Sequence, residues 1–116
     1  MSDLLSGVPA LTIQFLERAR MEMQAVRSLL KQATVDPGPA LAQIARIAHA
    51  LHGASAAFGF ETMSEFAGHL ERQVKLHLQS ATPGEASAAL LSELDARVTT
   101  LGASITTALA EQTRGV

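Results

Sequence analysis

Apolar side chains recur at spacings of three and four residues along most of the chain, which is the period of one face of an α-helix. Four segments show this period, and they predict helices over about residues 9–33, 39–58, 62–79 and 83–112. In the second segment the apolar stripe consists of Ala40, Ile44, Ile47, Leu51, Ala54 and Phe58.

Proline, glycine and capping residues separate the four segments. Pro9 suits a first helical turn, and the two prolines and the glycine of residues 35–39 interrupt the helical pattern. Thr62 followed by Glu65 has the capping-box spacing, and Thr82 followed by Glu85 repeats it. Loops of two to six residues favour antiparallel neighbours, so the expected fold is all-α, an antiparallel up-down-up-down four-helix bundle forming one domain over residues 1–116.

Composition excludes several classes of protein. The chain is 47% apolar and 17% charged, which is too apolar for a disordered protein, and no apolar run is long enough to span a bilayer. A net charge of -2 with scattered basic residues argues against nucleic acid and anionic membranes as partners. There is no cysteine, and the first residues do not resemble a signal peptide, so a cytoplasmic protein is expected.

The second helix carries the candidate chemistry at His49. On a helical wheel His49 lies roughly 175° from the mean direction of the apolar stripe, so we expect its imidazole to face solvent. Its neighbours on that face are small, and Arg46 and His52 flank the strip, where they suit an anion. The small neighbours are Ala42, Ala45, Gly53 and Ala56.

An exposed histidine is a nucleophile when one ring nitrogen is free and an acceptor holds the other. The third helix offers such an acceptor in Glu71. Glu71 belongs to a polar stripe beside the core face of that helix, together with Ser64, Gly68 and Lys75. If the third helix packs beside the second, the stripe presents Glu71 toward His49.

The run from His49 to Phe60, HALHGASAAFGF, resembles the second helix of the histidine-containing phosphotransfer (HPt) domain. Its Phe-Gly-Phe ending is most similar to the N-terminal phosphotransfer domain of the chemotaxis histidine kinase CheA. The resemblance implies that His49 accepts a phosphoryl group from a kinase domain that uses ATP and passes it to an aspartate of a response regulator. It also implies that Glu71 orients the imidazole and that Gly53 gives the regulator close access.

Two positions depart from the family pattern. The family usually has lysine three residues after the histidine, where this chain has His52, and the chemotaxis domains often have a second histidine at the position of Gly68. The positive charge that the family lysine would place near His49 therefore has to come from His52, Arg46 or Lys75.

The sequence has no phosphate-binding glycine loop and no magnesium-binding carboxylate cluster. We therefore expect this domain to bind no cofactor itself, with ATP and magnesium supplied on partner domains, namely a histidine kinase catalytic domain and a CheY-like receiver domain. Whether the chain is itself a transferase, as part of a larger kinase, stays open. Contacts to the regulator are expected around the histidine, at Ala45, Ala56, Phe60 and Met63.

Two alternatives remain. One is a helical interaction module that is not phosphorylated, which the missing lysine keeps open. The other is a metal-binding helical bundle, because His49 and His52 are three residues apart. The sequence argues against a metal, since a di-metal bundle needs Glu-x-x-His repeats and the chain has none.

Overall fold

The computed structural model of the chain describes residues 2–80 and 86–114, with the backbone alone for residues 2–9. Within these ranges it contains four α-helices and no strand, which confirms the all-α class. The helices are α1 (Ser2–Gln32), α2 (Pro37–Ala57), α3 (Glu61–Leu78) and α4 (Ala88–Arg114). α2 packs against α1 and α3, and α4 packs against α1 and α3, so the helices form a four-helix bundle. None of them has both the length and the apolar character that a bilayer-spanning helix needs.

Two helices begin elsewhere than predicted. α1 begins at Ser2 and continues through Pro9, because the loss of one backbone hydrogen bond at a proline does not end a helix of 31 residues. α4 begins at Ala88, where the backbone N–H of Leu90 donates to Ser87 Oγ at 3.0 Å. The predicted capping box of Thr82 and Glu85 lies outside the described residues.

The turn between α2 and α3 makes the predicted capping box of Thr62 and Glu65 wrong. Gly59 has a φ of 84°, and its N–H donates to the carbonyl of Ala56 at 3.0 Å. The N–H of Phe60 donates to the carbonyl of Ser55 at 2.8 Å, which completes a Schellman motif. The Schellman motif therefore ends α2 before Thr62, and Phe60 occupies the N-cap of α3 with no side-chain cap.

The two phenylalanines of this turn connect it to α1. The ring of Phe58 stacks on Phe15 with the centroids 4.6 Å apart, and Phe60 lies 6.2 Å from the same ring. Offset aromatic pairs of this kind add to the energy of apolar burial. Phe15 therefore fixes the end of α2, and with it the start of α3, against the first helix.

The buried face of α2 is wider than its apolar stripe and turned toward α3. Ala45, Ala48 and Ser55 are all buried, although none of them belongs to the predicted stripe, while Phe58 at its end is 41% exposed. α3 also buries small residues, Ser64, Ala67 and Gly68. Small side chains on both helices allow their backbones to approach closely. As a result His49, next to Ala48, lies at the edge of the buried face and beside α3, and not diametrically opposite the core.

Candidate functional site

His49 projects from α2 into an open groove between α2 and α3. Its side chain is 70% exposed. The groove has a volume of about 340 Å³, and its lining residues are Ala42, Ala45, Arg46, His49, Lys75 and Leu78. One imidazole, two permanent cations and small apolar side chains therefore share a surface that a second molecule can reach.

The imidazole of His49 is held by Glu71 of α3. The distance between His49 Nδ1 and Glu71 Oε2 is 2.8 Å. An ionised carboxylate only accepts hydrogen bonds, so Nδ1 carries the proton and donates it to Oε2. In the neutral ring the lone pair is then on Nε2, the nitrogen that Glu71 does not contact, and this is the nucleophilic form of the side chain.

Glu71 is a carboxylate that stays ionised although it is buried. Its side chain is only 10% exposed. Burial by itself raises the pKa of this carboxyl, but hydrogen bonds from Lys75 and His49, together with their positive charge, outweigh burial and lower the pKa below its ordinary value of 4.5. The group that orients His49 is therefore an anion at neutral pH.

Lys75 contacts the same oxygen atom. Its Nζ lies 2.6 Å from Glu71 Oε2, and its side chain is 52% exposed. Lys75 follows Glu71 by one helical turn, so the contact needs no distortion of α3. His49, Glu71 and Lys75 thus form one hydrogen-bonded cluster centred on a single carboxylate oxygen.

His52 turns away from the groove and toward α3. Its Nδ1 lies 2.8 Å from the backbone carbonyl of Ser64 and 3.0 Å from Ser64 Oγ, while the hydroxyl of Ser64 donates to the carbonyl of His52 at 2.9 Å. Since a carbonyl only accepts, His52 Nδ1 carries a proton and donates it to α3. The ring of His52 joins the two helices, whereas the sequence placed this side chain beside the exposed strip.

Gly68 provides the space for that ring. A Cβ atom at position 68 would lie 3.1 Å from His52 Nδ1 and 3.2 Å from His52 Cε1, which is closer than ordinary van der Waals contact. The two positions that differ from the expected family pattern therefore contact each other. The sequence alone gives no reason to link these two positions, because they lie on different helices.

The comparison with known families agrees with this geometry. The family model of the Hpt domain matches residues 10–112. The chain belongs to the Hpt domain family. No curated protein and no solved structure matches it. Hpt domains carry out histidine phosphotransfer in two-component signalling, with kinases and response regulators as partners.

The docking residues expected from the sequence lie at different depths in this Hpt domain. Gly53 and Ala56 are exposed on α2, and a Cβ at position 53 would meet no atom of the described part of the chain within 4 Å. Phe60 is half-buried against Phe15. Ala45 is 6% exposed and Met63 is 2% exposed, because both belong to the core. We therefore leave Met63 out of the docking surface, and Ala45 contributes only as part of the groove wall.

The described residues of the Hpt domain contain no group of three or more histidine, aspartate or glutamate side chains that could hold a metal ion. His49 donates to Glu71 and His52 donates to Ser64, so each histidine already has its own partner on α3. The two contacts are in opposite order along the two helices: His52 follows His49 in α2, but its partner Ser64 precedes Glu71 in α3.

Proposed function

We propose that His49 is the phosphoryl acceptor of this Hpt domain and that Nε2 is the attacking atom. One observation carries the proposal: an imidazole that is 70% exposed has its Nδ1 held 2.8 Å from a buried carboxylate. That arrangement favours the tautomer whose lone pair is on Nε2, the ring nitrogen that Glu71 does not contact. Glu71 is a positioning residue, because it acts on the ring and does not touch the phosphoryl group.

The reaction balances without an additional base in this chain. Nε2 attacks the γ-phosphorus of ATP, the Nε2–P bond forms, and the bond from phosphorus to the bridging oxygen breaks, with its electron pair leaving on ADP. The Nδ1 proton stays in place, so the ring gains positive charge directly opposite the Glu71 carboxylate, which stabilises it. In the onward step the Nε2–P bond breaks, its electron pair returns to Nε2, and an aspartate oxygen bonds to phosphorus.

Binding and activation of ATP belong to the partner in this proposal. A kinase catalytic domain supplies the nucleotide site and magnesium, and this chain supplies the acceptor. The acceptor of the next step is a receiver domain of the CheY-like kind, in a chemotaxis pathway of the cytoplasm. The support for chemotaxis is the sequence Phe58-Gly59-Phe60 directly after α2, which resembles that of CheA.

The receiver domain docks over the exposed small residues around His49. Gly53 and Ala56 continue the strip beyond the imidazole, and Arg46 lies one turn before it. Glycine in a helix interior costs about 1 kcal/mol relative to alanine, and no atom of the described residues occupies the space beside Gly53. We infer that this space is reserved for the partner.

We further infer that the bundle runs up-down-up-down. Residues 33–36 connect α1 to α2 and residues 58–60 connect α2 to α3, and connections this short favour antiparallel neighbours. The opposite order of the His49–Glu71 and His52–Ser64 contacts supports the same arrangement for α2 and α3.

The test uses phosphoramidate as a small phosphoryl donor, followed by mass spectrometry and by addition of a purified receiver domain. We expect one phosphoryl group per chain, lost in acid and stable in base, absent from His49→Gln, and discharged by the receiver domain. Phosphorylation of the His49→Gln protein would reassign the site. If the wild-type protein takes up no phosphoryl group while remaining folded, the chain is a helical interaction module instead.

Glu71 is tested through the tautomer of His49. A long-range proton–nitrogen NMR spectrum of the wild-type protein should show Nδ1 protonated and Nε2 unprotonated. Glu71→Gln retains an oxygen that accepts from Nδ1–H, whereas Glu71→Ala removes the acceptor and should yield a mixture of tautomers. An unchanged spectrum in Glu71→Ala would remove Glu71 from the mechanism.

A further inference from the structure

We propose that Lys75, reaching across from α3, supplies the positive charge that stabilises the phosphoryl group on His49, and that it does so by leaving Glu71. The inference rests on the proposed phosphorylation of His49 at Nε2. In the family pattern, the lysine near the phosphorylated histidine lies on the second helix. The proposal gives the corresponding role, stabilisation of the phosphoryl group, to a lysine on α3.

The position of Lys75 carries the argument. Lys75 Nζ and His49 Nδ1 lie 2.6 and 2.8 Å from the same atom, Glu71 Oε2, so these two contacts hold the ammonium close to the imidazole. Both side chains also line the same groove. The ammonium is thus already held beside the ring before any phosphoryl group arrives.

The other cations nearby are less suited to this task. His52 donates its Nδ1 proton to the carbonyl of Ser64, and its ring is packed over Gly68. Arg46 lines the groove, but no ion pair or hydrogen bond holds its guanidinium among the described residues. Lys75 combines a permanent charge with a contact that already places it in the site.

Phosphorylation changes which partner Lys75 prefers. A phosphoryl group on Nε2 brings close to two negative charges into the groove, whereas Glu71 carries one. The four-carbon stem of lysine lets the ammonium move between the two without movement of α3. When Lys75 leaves, Glu71 Oε2 accepts a hydrogen bond from the imidazole alone, which has just gained positive charge. The exchange therefore stabilises the ring and the phosphoryl group together.

The experiment compares Lys75→Met, Lys75→Arg and Lys31→Met. The sequence has only two lysines, and Lys31 is exposed at the end of α1, so Lys31→Met is a matched control for the loss of one lysine. Each protein is phosphorylated with phosphoramidate, and the rates of phosphorylation and of spontaneous hydrolysis are followed by phosphorus NMR.

We expect Lys75→Met to be phosphorylated about fivefold more slowly than the wild-type protein, which corresponds to the loss of one partly screened charge contact. The difference between the two rates should shrink at high salt. Lys75→Arg should restore most of the rate, and Lys31→Met should match the wild-type protein. A purely structural role for Lys75 would give no dependence on salt.

Nitrogen NMR of the lysine ammonium tests the exchange itself. The Lys75 signal should shift on phosphorylation in the wild-type protein, while the Lys31 signal should not. Equal rates for Lys75→Met and the wild-type protein, or an unmoved Lys75 signal, would overturn the proposal and leave the relay intact. Failure of the relay is recognised separately, by phosphorylation of His49→Gln.

Discussion

At the residue scale, one carboxylate determines the chemistry of this surface. Glu71 is buried beside two hydrogen-bond donors, His49 Nδ1 and Lys75 Nζ, and both contact the same oxygen. A buried anion is tolerated only where partners compensate for the lost water. The donors that keep Glu71 ionised are also the groups that it positions, so orientation of the imidazole and retention of the charge depend on the same contacts.

The lowered pKa of Glu71 predicts a contribution to stability that depends on pH. Because the folded-state pKa lies below the ordinary value of 4.5, the contribution is complete above that value and is lost as the pH falls through the lowered pKa. Urea unfolding of the wild-type protein between about pH 6 and pH 3 should therefore show a decline that is smaller in Glu71→Gln. The exposed Glu111→Gln serves as the control and should keep the wild-type decline. Parallel curves for wild type and Glu71→Gln would contradict the assignment.

At the scale of the elements, α2 and α3 form the site because their facing residues are small. α2 buries Ala45, Ala48 and Ser55, and α3 buries Ser64, Ala67 and Gly68. Close approach of the two helices brings the His49 ring within hydrogen-bond distance of Glu71, and it also lets His52 reach the backbone of α3. Small residues that contribute little hydrophobic energy thus set the geometry of the polar groups.

Gly53 and Gly68 predict opposite results for the same substitution. Gly53→Ala should raise the free energy of unfolding by up to about 1 kcal/mol, because helix propensity improves and the space is open. Gly68→Ala should instead lower it by about 1 kcal/mol, because the new Cβ displaces His52 from its hydrogen bonds to Ser64. Chemical denaturation measures both values.

The control for this pair is the His52→Ala background, in which the obstructing ring is absent. There, Gly68→Ala should become stabilising, as Gly53→Ala is in the wild-type protein. If Gly68→Ala is equally destabilising in both backgrounds, the contact with His52 is not the cause.

The turn between α2 and α3 predicts a cost at Gly59. With φ at 84°, a residue with a Cβ is strained there although no neighbouring atom obstructs it. Gly59→Ala should lower the free energy of unfolding by about 1–2 kcal/mol. Thermal unfolding measures this effect, with Gly38→Ala as the control, since position 38 lies in α2 without a positive φ and has equally open surroundings. Equal stabilities of the two variants would show that the conformation of Gly59 is not needed.

At the scale of the whole molecule, stability and chemistry lie in different parts of the bundle. The fully buried side chains come from all four helices, whereas the described groups that line the groove around His49 belong to α2 and α3. α1 and α4 support the site by completing the core and, through Phe15, by holding the end of α2. Among the side chains that the structure describes, none from α1 or α4 lines the groove.

This division predicts that a core substitution in α4 separates folding from acceptor chemistry. Leu101 is 0% exposed, so Leu101→Ala should lower the free energy of unfolding by about 2–5 kcal/mol. At temperatures where the variant is still folded, its phosphorylation rate with phosphoramidate should equal that of the wild-type protein. A reduced rate in the folded variant would mean that α4 contributes to the site.

By itself the sequence determined the number of helices, their approximate extent and the candidate nucleophile, because a repeat of 3.6 residues and the helix-breaking residues are local properties. It misplaced the start of α1, since a long helix tolerates Pro9, and the start of α4, since a cap depends on which side chain reaches the backbone, as Ser87 does for Leu90.

Only the tertiary structure decided how α2 is rotated about its axis. The buried alanines of α2 contribute little to the apolar pattern of the sequence, but their small size allows α3 to pack closely. That rotation brings His49 to Glu71, turns His52 into Ser64 and removes Met63 from the surface. Contacts between residues on different helices depend on the distance between the packed helices. The spacing of residues along one helix does not reveal that distance.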